Sequence, residues 1–178
     1  MLLQRLMLPY KCCSPEIDES PHPGESPADL VTRLAEEKAA SVASEQADAL
    51  VIGSDQLAVF DGQVIGKPGS HSAAHAQLTS FSGQIVEFLT AVSVQCRASG
   101  FSEHYIDCTQ VYFRKLQAAE IERYLQQEKP YDCAGSFKSE RLGIVLFERI
   151  CSEDPTALIG LPLIQTAAIL RRAGLVLP

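Results

Sequence analysis

Residues 49–56 read Ala49-Leu50-Val51-Ile52-Gly53-Ser54-Asp55-Gln56, and this stretch decides the fold class. The run Ala49–Gly53 is short, apolar and bounded by polar residues, so it reads as a buried strand. Upstream, Ser26 can cap a helix, Pro27 suits its first turn, and Asp29 sits three residues after the cap. Leu30, Val31, Leu34, Ala35, Lys38, Ala39 and Val42 then recur at helical spacing. Downstream, Leu57–Phe60 and Gln63–Ile65 flank Asp61-Gly62, which predicts a hairpin. A second helix spans Ser70 to Phe81, with Gly83 placed to end it.

The segments 84–98 and 102–114 are rich in β-branched and aromatic residues and are joined at Ser99-Gly100, which predicts a long β-hairpin. Gln117 to Gln127 reads as an amphipathic helix and Gly143 to Ile150 as a strand. Asp154-Pro155 opens a short helix, and Pro162 to Ala173 forms a last helix stopped by Gly174. Residues 15–27, with four prolines, read as a loop. The expected fold is α/β: a mixed β-sheet flanked by helices, with a long β-hairpin, in a single domain over 1–178. Strand ends are where such folds place ligands.

Composition narrows the function class. A net charge of −7 argues against a nucleic-acid surface, which needs a basic patch, but allows a local basic pocket for a small polyanion. No apolar run has transmembrane length. Met1–Leu8 is apolar, but it is too short for a leader, and Pro9-Tyr10-Lys11 ends it with no small-residue cleavage site. The expected location is the cytoplasm, with no membrane partner. The six cysteines include no Cys-x-x-Cys pair, so they read as reduced and mostly packing; Cys133 is the best placed if one were catalytic.

Several residues could carry chemistry. Asp55 directly follows a strand, where a carboxylate at the sheet rim can hold a metal or activate water; a turn or cap residue is the plain alternative. Lys67, in Gly66-Lys67-Pro68, suits phosphate as a point charge, although most loop lysines are merely solvated. Lys38 lies among Ala35, Ala39 and Ala40 on a helix, the usual setting of a surface lysine. Asp18 and Glu19 are adjacent loop acids, one of which could bind a hard cation. Ala134-Gly135-Ser136-Phe137-Lys138-Ser139-Glu140 permits close backbone approach to phosphate or sugar, or is an ordinary turn; it lacks Walker spacing. His71 and His75 lack the intervening glutamate of a zinc protease and read as surface residues.

Six pieces in this order resemble the Maf family of nucleoside triphosphate pyrophosphatases: Pro15–Glu19, Leu34–Ala39, Ile52–Gln56, Gly66–Pro68, Cys133–Phe137 and Gly160–Leu163. The resemblance implies a fold like that of Maf and inosine triphosphate pyrophosphatases. It also implies a divalent cation (Mg2+ or Mn2+) and cleavage between the α- and β-phosphates of a nucleotide. Asp55 would be the general base and a metal ligand, Glu19 a second metal carboxylate, and Lys38 and Lys67 phosphate contacts. Ser136 and Lys138 would also bind substrate. Gln56 and Glu140 resemble the subgroup preferring 7-methyl-GTP, whose methylated base is cationic and is complemented by a glutamate. A homodimer is compatible with the resemblance.

The family pattern begins with a strand and a Ser-Pro-x-Arg-Arg phosphate loop, whereas Met1–Leu6 resembles the middle of the helix that follows that loop. On that reading this chain is expected to be nearly inactive, and less stable than a version extended by both. The alternative is a non-catalytic nucleotide-binding or regulatory protein.

Overall fold

The ten-residue strand β1 (Val51–Phe60) organises the structure because its two faces are used differently. A computed structural model describes residues 2–178; Met1 lies outside the described residues, as does its part in the expected first helix. Leu2–Leu6 forms a single 3-10 segment. The remaining strands are β2 (Gln63–Ile65), β3 (Ile85–Cys96), β4 (Phe101–Phe113) and β5 (Phe147–Cys151), in the spatial order β2-β1-β3-β4-β5. Among the described residues four α-helices flank the sheet: α1 (Pro27–Glu45), α2 (His71–Phe81), α3 (Ala118–Glu128) and α4 (Leu163–Arg172).

The fold is α/β with a long β3–β4 hairpin, and its strands run antiparallel rather than mixed. The cause lies in the connections. β2 returns from β1 through Asp61-Gly62, both in the left-handed region, and pairs Ala58 with Ile65. β5 pairs Val111 of β4 with Ile150. Between β1 and β3, Ala98 N–H donates to Ala47 O while Ser54 Oγ donates to Ala91 O, so the two segments run in opposite senses.

Two compact units divide the chain. One comprises residues through Gln56, Thr90–Asp107 and Asp154–Pro178; the other comprises Leu57–Leu89 and Cys108–Glu153. The first unit has apolar clusters of two kinds. Val92, Val94, Ile169 and Leu170 gather Leu50, Ile52 and Phe101 around them, whereas Ala39, Ala43 and Val51 pack with Val42 and Ala49. The alternation of Leu50 and Ile52 with Val51 follows from the two-residue period of a strand. In the second unit the core is aromatic. Phe137 meets Phe147 at 4.7 Å and Phe88 at 5.1 Å between ring centroids, and Phe81 and Phe113 extend the cluster.

The helix ends are as the sequence implies. Ser26 accepts from Asp29 N–H at the start of α1, Ser70 accepts from Ala73 N–H at α2, and Gln117 with Glu120 forms a capping box at α3. Two elements differ. The strand expected to stop at Gly53 continues to Phe60, because Ser54, Asp55 and Gln56 all find side-chain partners without leaving the extended backbone. The strand expected over 143–150 is a 3-10 turn (Leu142–Leu146) before β5. Gly143 N–H bonds Lys138 O at 3.1 Å, and a Cβ at Gly143 would collide with that carbonyl, so the backbone doubles back there.

Gly53 permits the closest approach in the first unit. A Cβ at this position would fall against Ala35 O and lie 2.6 Å from Ala39 N, both backbone atoms of α1. Backbone of a helix cannot yield as a flexible side chain can. Gly53→Ala is therefore expected to destabilise the fold by on the order of 3 kcal/mol, a fall in Tm of roughly 6–12 °C. Calorimetry checks this, and a melt within a degree of wild type would refute the close approach.

Candidate active site

Strand periodicity sends Gly53 and Asp55 to one face of β1, and Ser54 and Gln56 to the other. Gly53 brings α1 close, and Lys38, the residue before Ala39, reaches Asp55: Lys38 Nζ donates to Asp55 Oδ1 at 2.6 Å. The same ammonium lies 2.7 Å from Glu19 Oε1. Lys38 and Asp55 side chains are 21% and 14% exposed whereas Glu19 is 57% exposed, so two sheltered charges meet a third from the solvent side. Burial works against the lysine charge, but the bonds to Asp55 and Glu19 outweigh it and hold the Lys38 pKa above the ordinary value. Asp55 thus sits within a continuous strand rather than after its end, as the sequence implied, and its carboxylate is fixed by α1.

On the opposite face, Gln56 Nε2 donates to Thr90 Oγ1 at 2.8 Å, Ala157 O at 3.0 Å and Leu158 O at 3.2 Å. Ser54 Oγ lies 2.7 Å from Ala91 O and 3.0 Å from Gly160 O. The amide nitrogen of Gln56 is therefore engaged with the 157–160 turn, which leaves its oxygen for any ligand. The turn is held in its own right. Buried Asp154 accepts from Thr156 N–H at 2.9 Å and from Ile164 N–H at 2.6 Å in the first turn of α4.

The proline-rich loop that carries Glu19 is tied to α1 by Arg33, which composition alone does not single out. Its Nε and Nη2 donate to the two Glu25 oxygens at 2.7 and 3.0 Å, and Nη2 also donates to Ser20 O at 3.0 Å. Such a two-pronged pair fixes orientation as well as distance. The Arg33 guanidinium, aided by the His22 N–H, lowers the Glu25 carboxyl to about 2. The cue in the sequence was Glu25 eight residues before Arg33, a spacing no helix rule marks, because the contact closes a loop.

The other residues expected at the site belong to the second unit. Lys67 is exposed in the Gly66-Lys67-Pro68 loop. Ser136 is fully buried, with a left-handed backbone (φ 61°), and donates to Gln77 Oε1 at 2.5 Å. Lys138 Nζ lies 3.6 Å from Asp132 Oδ1, and Glu140 is exposed two residues on. Gly135, also left-handed, leaves room for Phe88, whose ring a Cβ would approach to 2.8 Å. Burial and the adjacent Asp132 push the Cys133 thiol up to about 11, so at neutral pH it is a protonated, poor nucleophile. His71 bonds Tyr131 Oη and Glu122 and makes no metal pair with His75. Among the described residues no group of three or more His, Cys, Asp or Glu side chains is arranged to hold a metal.

The sequence profile described as Maf-like protein matches residues 1–173. This chain belongs to the Maf family. Among Maf-family relatives, a 7-methyl-GTP pyrophosphatase of Xanthomonas axonopodis pv. citri (strain 306) is 55% identical over 99% of this chain and 92% of that protein. A 7-methyl-GTP pyrophosphatase of Polaromonas sp. (strain JS666 / ATCC BAA-500) is 53% identical, over 99% of this chain and 80% of its own. A third, from Pseudomonas syringae pv. tomato (strain ATCC BAA-871 / DC3000), is 51% identical over 99% and 92%.

The Arg33 clamp has a pH signature. A carboxyl whose pKa is lowered on folding stabilises above its unfolded value and loses that stabilisation as pH falls through the folded one. For Glu25 the window runs from the ordinary 4.5 down to about 2. Carbon-detected NMR titration is expected to place the Glu25 midpoint near 2 in wild type, and Arg33→Met is expected to return it toward 4.5. An unmoved midpoint in the variant would remove the clamp.

Proposed function

We propose that this protein hydrolyses 7-methyl-GTP to 7-methyl-GMP and pyrophosphate. The observation that carries the reading is the convergence of Asp55 and Glu19 on Lys38, in a family whose members at 51–55% identity bear that activity in their names.

Asp55 is the general base: it takes a proton from the water that attacks the α-phosphorus as the bond to the β-phosphate oxygen breaks. Lys38 holds the Asp55 carboxylate in place before substrate arrives, which orients the base toward the attacking water. Lys67 and Lys138 supply point charges to the phosphates. Two carboxylates from separate segments, both within reach of one cation, form a hard-oxygen donor set that fits Mg2+ or Mn2+, which need few protein ligands when phosphates supply the rest. Asp55 and Glu19 would hold the ion, and when bound it supplies charge neutralisation at the phosphates.

Glu140 reads the base. Methylation at N7 leaves a positive charge, and an exposed carboxylate complements it while accepting from the guanine N1–H and amino group. The substrate is a free nucleotide rather than nucleic acid, in keeping with a net charge of −7, and cytoplasmic turnover is part of the same proposal. No helix among the described residues is long and apolar enough to cross a membrane.

Asp55→Asn preserves shape but cannot accept the proton, so kcat is expected to fall by about 10²–10⁴-fold while nucleotide affinity, by calorimetry without a divalent cation, changes little. Near-normal pyrophosphate release would exclude Asp55 as the base. Glu140→Gln is expected to lower the ratio of kcat/KM for 7-methyl-GTP over GTP by on the order of tenfold. An unchanged ratio would mean that Glu140 does not read the base.

A further inference from the structure

Gln77, on the face of α2, makes two side-chain bonds that the proposed chemistry does not use. Its Nε2 donates to Gly66 O at 3.0 Å, one residue before Lys67. Its Oε1 accepts from Ser136 Oγ at 2.5 Å, in the turn that leads to Lys138 and Glu140. One half-buried amide therefore spans the loop that carries Lys67 and the loop that carries Lys138 and Glu140.

Both ends of this bridge are unusual. Ser136 is fully buried and holds a left-handed backbone that a residue with a Cβ adopts only when its surroundings impose it. Its hydroxyl has its single proton committed to Gln77 and presents no surface to solvent, so it acts through the loop it holds. The Gly66 carbonyl lies on exposed backbone, where nothing in the local sequence fixes its direction. A second stitch joins the same two segments further out: Gly69 N–H donates to Tyr131 O at 3.0 Å, and Tyr131 Oη lies 3.0 Å from His71 Nδ1. That stitch ties the far ends of the loops, and Gln77 ties the ends that carry Lys67 and Ser136.

We propose that Gln77 is a positioning residue that sets the spacing between the Lys67 loop and the Cys133–Glu140 loop, so that the phosphates and the base of one nucleotide are read in fixed register. The proposal rests on the reading of those two loops as substrate contacts. Only a side-chain amide fills this role, because the bridge needs a donor at one end and an acceptor at the other. Glutamate keeps the acceptor for Ser136 but turns an oxygen toward the Gly66 carbonyl. Leucine loses both bonds.

The test compares wild type, Gln77→Leu, Gln77→Glu, Ser136→Ala and the Gln77→Leu/Ser136→Ala pair on 7-methyl-GTP and GTP, with Tm measured for each. Gln77→Leu is expected to raise KM for 7-methyl-GTP about tenfold with kcat changed by less than about threefold. Gln77→Glu is expected to lie between wild type and Gln77→Leu. The pair is expected to be no worse than Gln77→Leu alone, because both changes break one bridge. A helix-surface glutamine of purely structural value would shift Tm and leave KM alone.

If wild type turns over 7-methyl-GTP and Gln77→Leu leaves KM unmoved, the proposal is overturned and the activity stands. Additive losses in the pair would also overturn it. If Gln77→Leu fails to fold, the near-isosteric Gln77→Glu decides, and a wild-type KM in that variant counts against the bridge. No turnover by wild type overturns the reading of the loops and the proposal with it.

Discussion

The absence of a side chain at Gly53 is the constraint on which the first unit depends. Backbone atoms of Ala35 and Ala39 occupy the space a Cβ would take, so α1 lies on β1 at a distance no other residue allows. The small faces of Ala35 and Ala39, both fully buried, are the matching half of this contact. Lys38 adjoins Ala39 in the helix and Asp55 lies two residues beyond Gly53 on the same face of the strand, so the ion pair at 2.6 Å is a geometric consequence of the close approach. A bulkier residue at position 53 would lift the helix and part the lysine from the carboxylate before any catalytic group was changed.

The same strand also shows how polar residues can sit in a sheet without ending it. Ser54 and Gln56 spend their donors on backbone carbonyls and on Thr90, and Asp55 meets a lysine, so none of these three side chains is left to pay the full desolvation penalty. The carbonyls that receive Gln56 come from a turn whose shape is set by buried Asp154, which also satisfies an amide in the first turn of α4. Substitution of Asp154 therefore reaches Gln56 through the turn, although the two residues are nearly a hundred positions apart in sequence.

In the second unit the ordering force is apolar. Phe137 is inserted among Phe88, Phe113 and Phe147 with edge-to-face geometry, and this anchors the centre of the Cys133–Glu140 loop. Left-handed Gly135 and Ser136 precede it, and their conformation is imposed by that anchor and by Gln77. A loop that is mostly small and polar is thereby made rigid enough to present Lys138 and Glu140 at its exposed end.

The sequence by itself determined the helices, the Ser26 cap, the long hairpin and the family to which the residues belong, because these rest on spacing and on local turn chemistry. Ser26, followed by Pro27 and Asp29, announces its helix within three residues, and Leu34–Ala39 with Ile52–Gln56 carries the family pattern, whereas the caps at Ser70 and Gln117 are seen only in the structure. Only the tertiary structure decided that Ser54–Gln56 continues a strand, that Gly143 lies in a 3-10 turn, and that the strands run antiparallel. For the strand the deciding partners are remote, Ala91, Thr90 and Lys38, and for the turn it is a backbone carbonyl, Lys138 O, that no side-chain pattern records. The roles of Arg33 and Gln77 were hidden for the same reason. Their side chains act across loops, and no periodicity in a chain records which residues a loop will bring together.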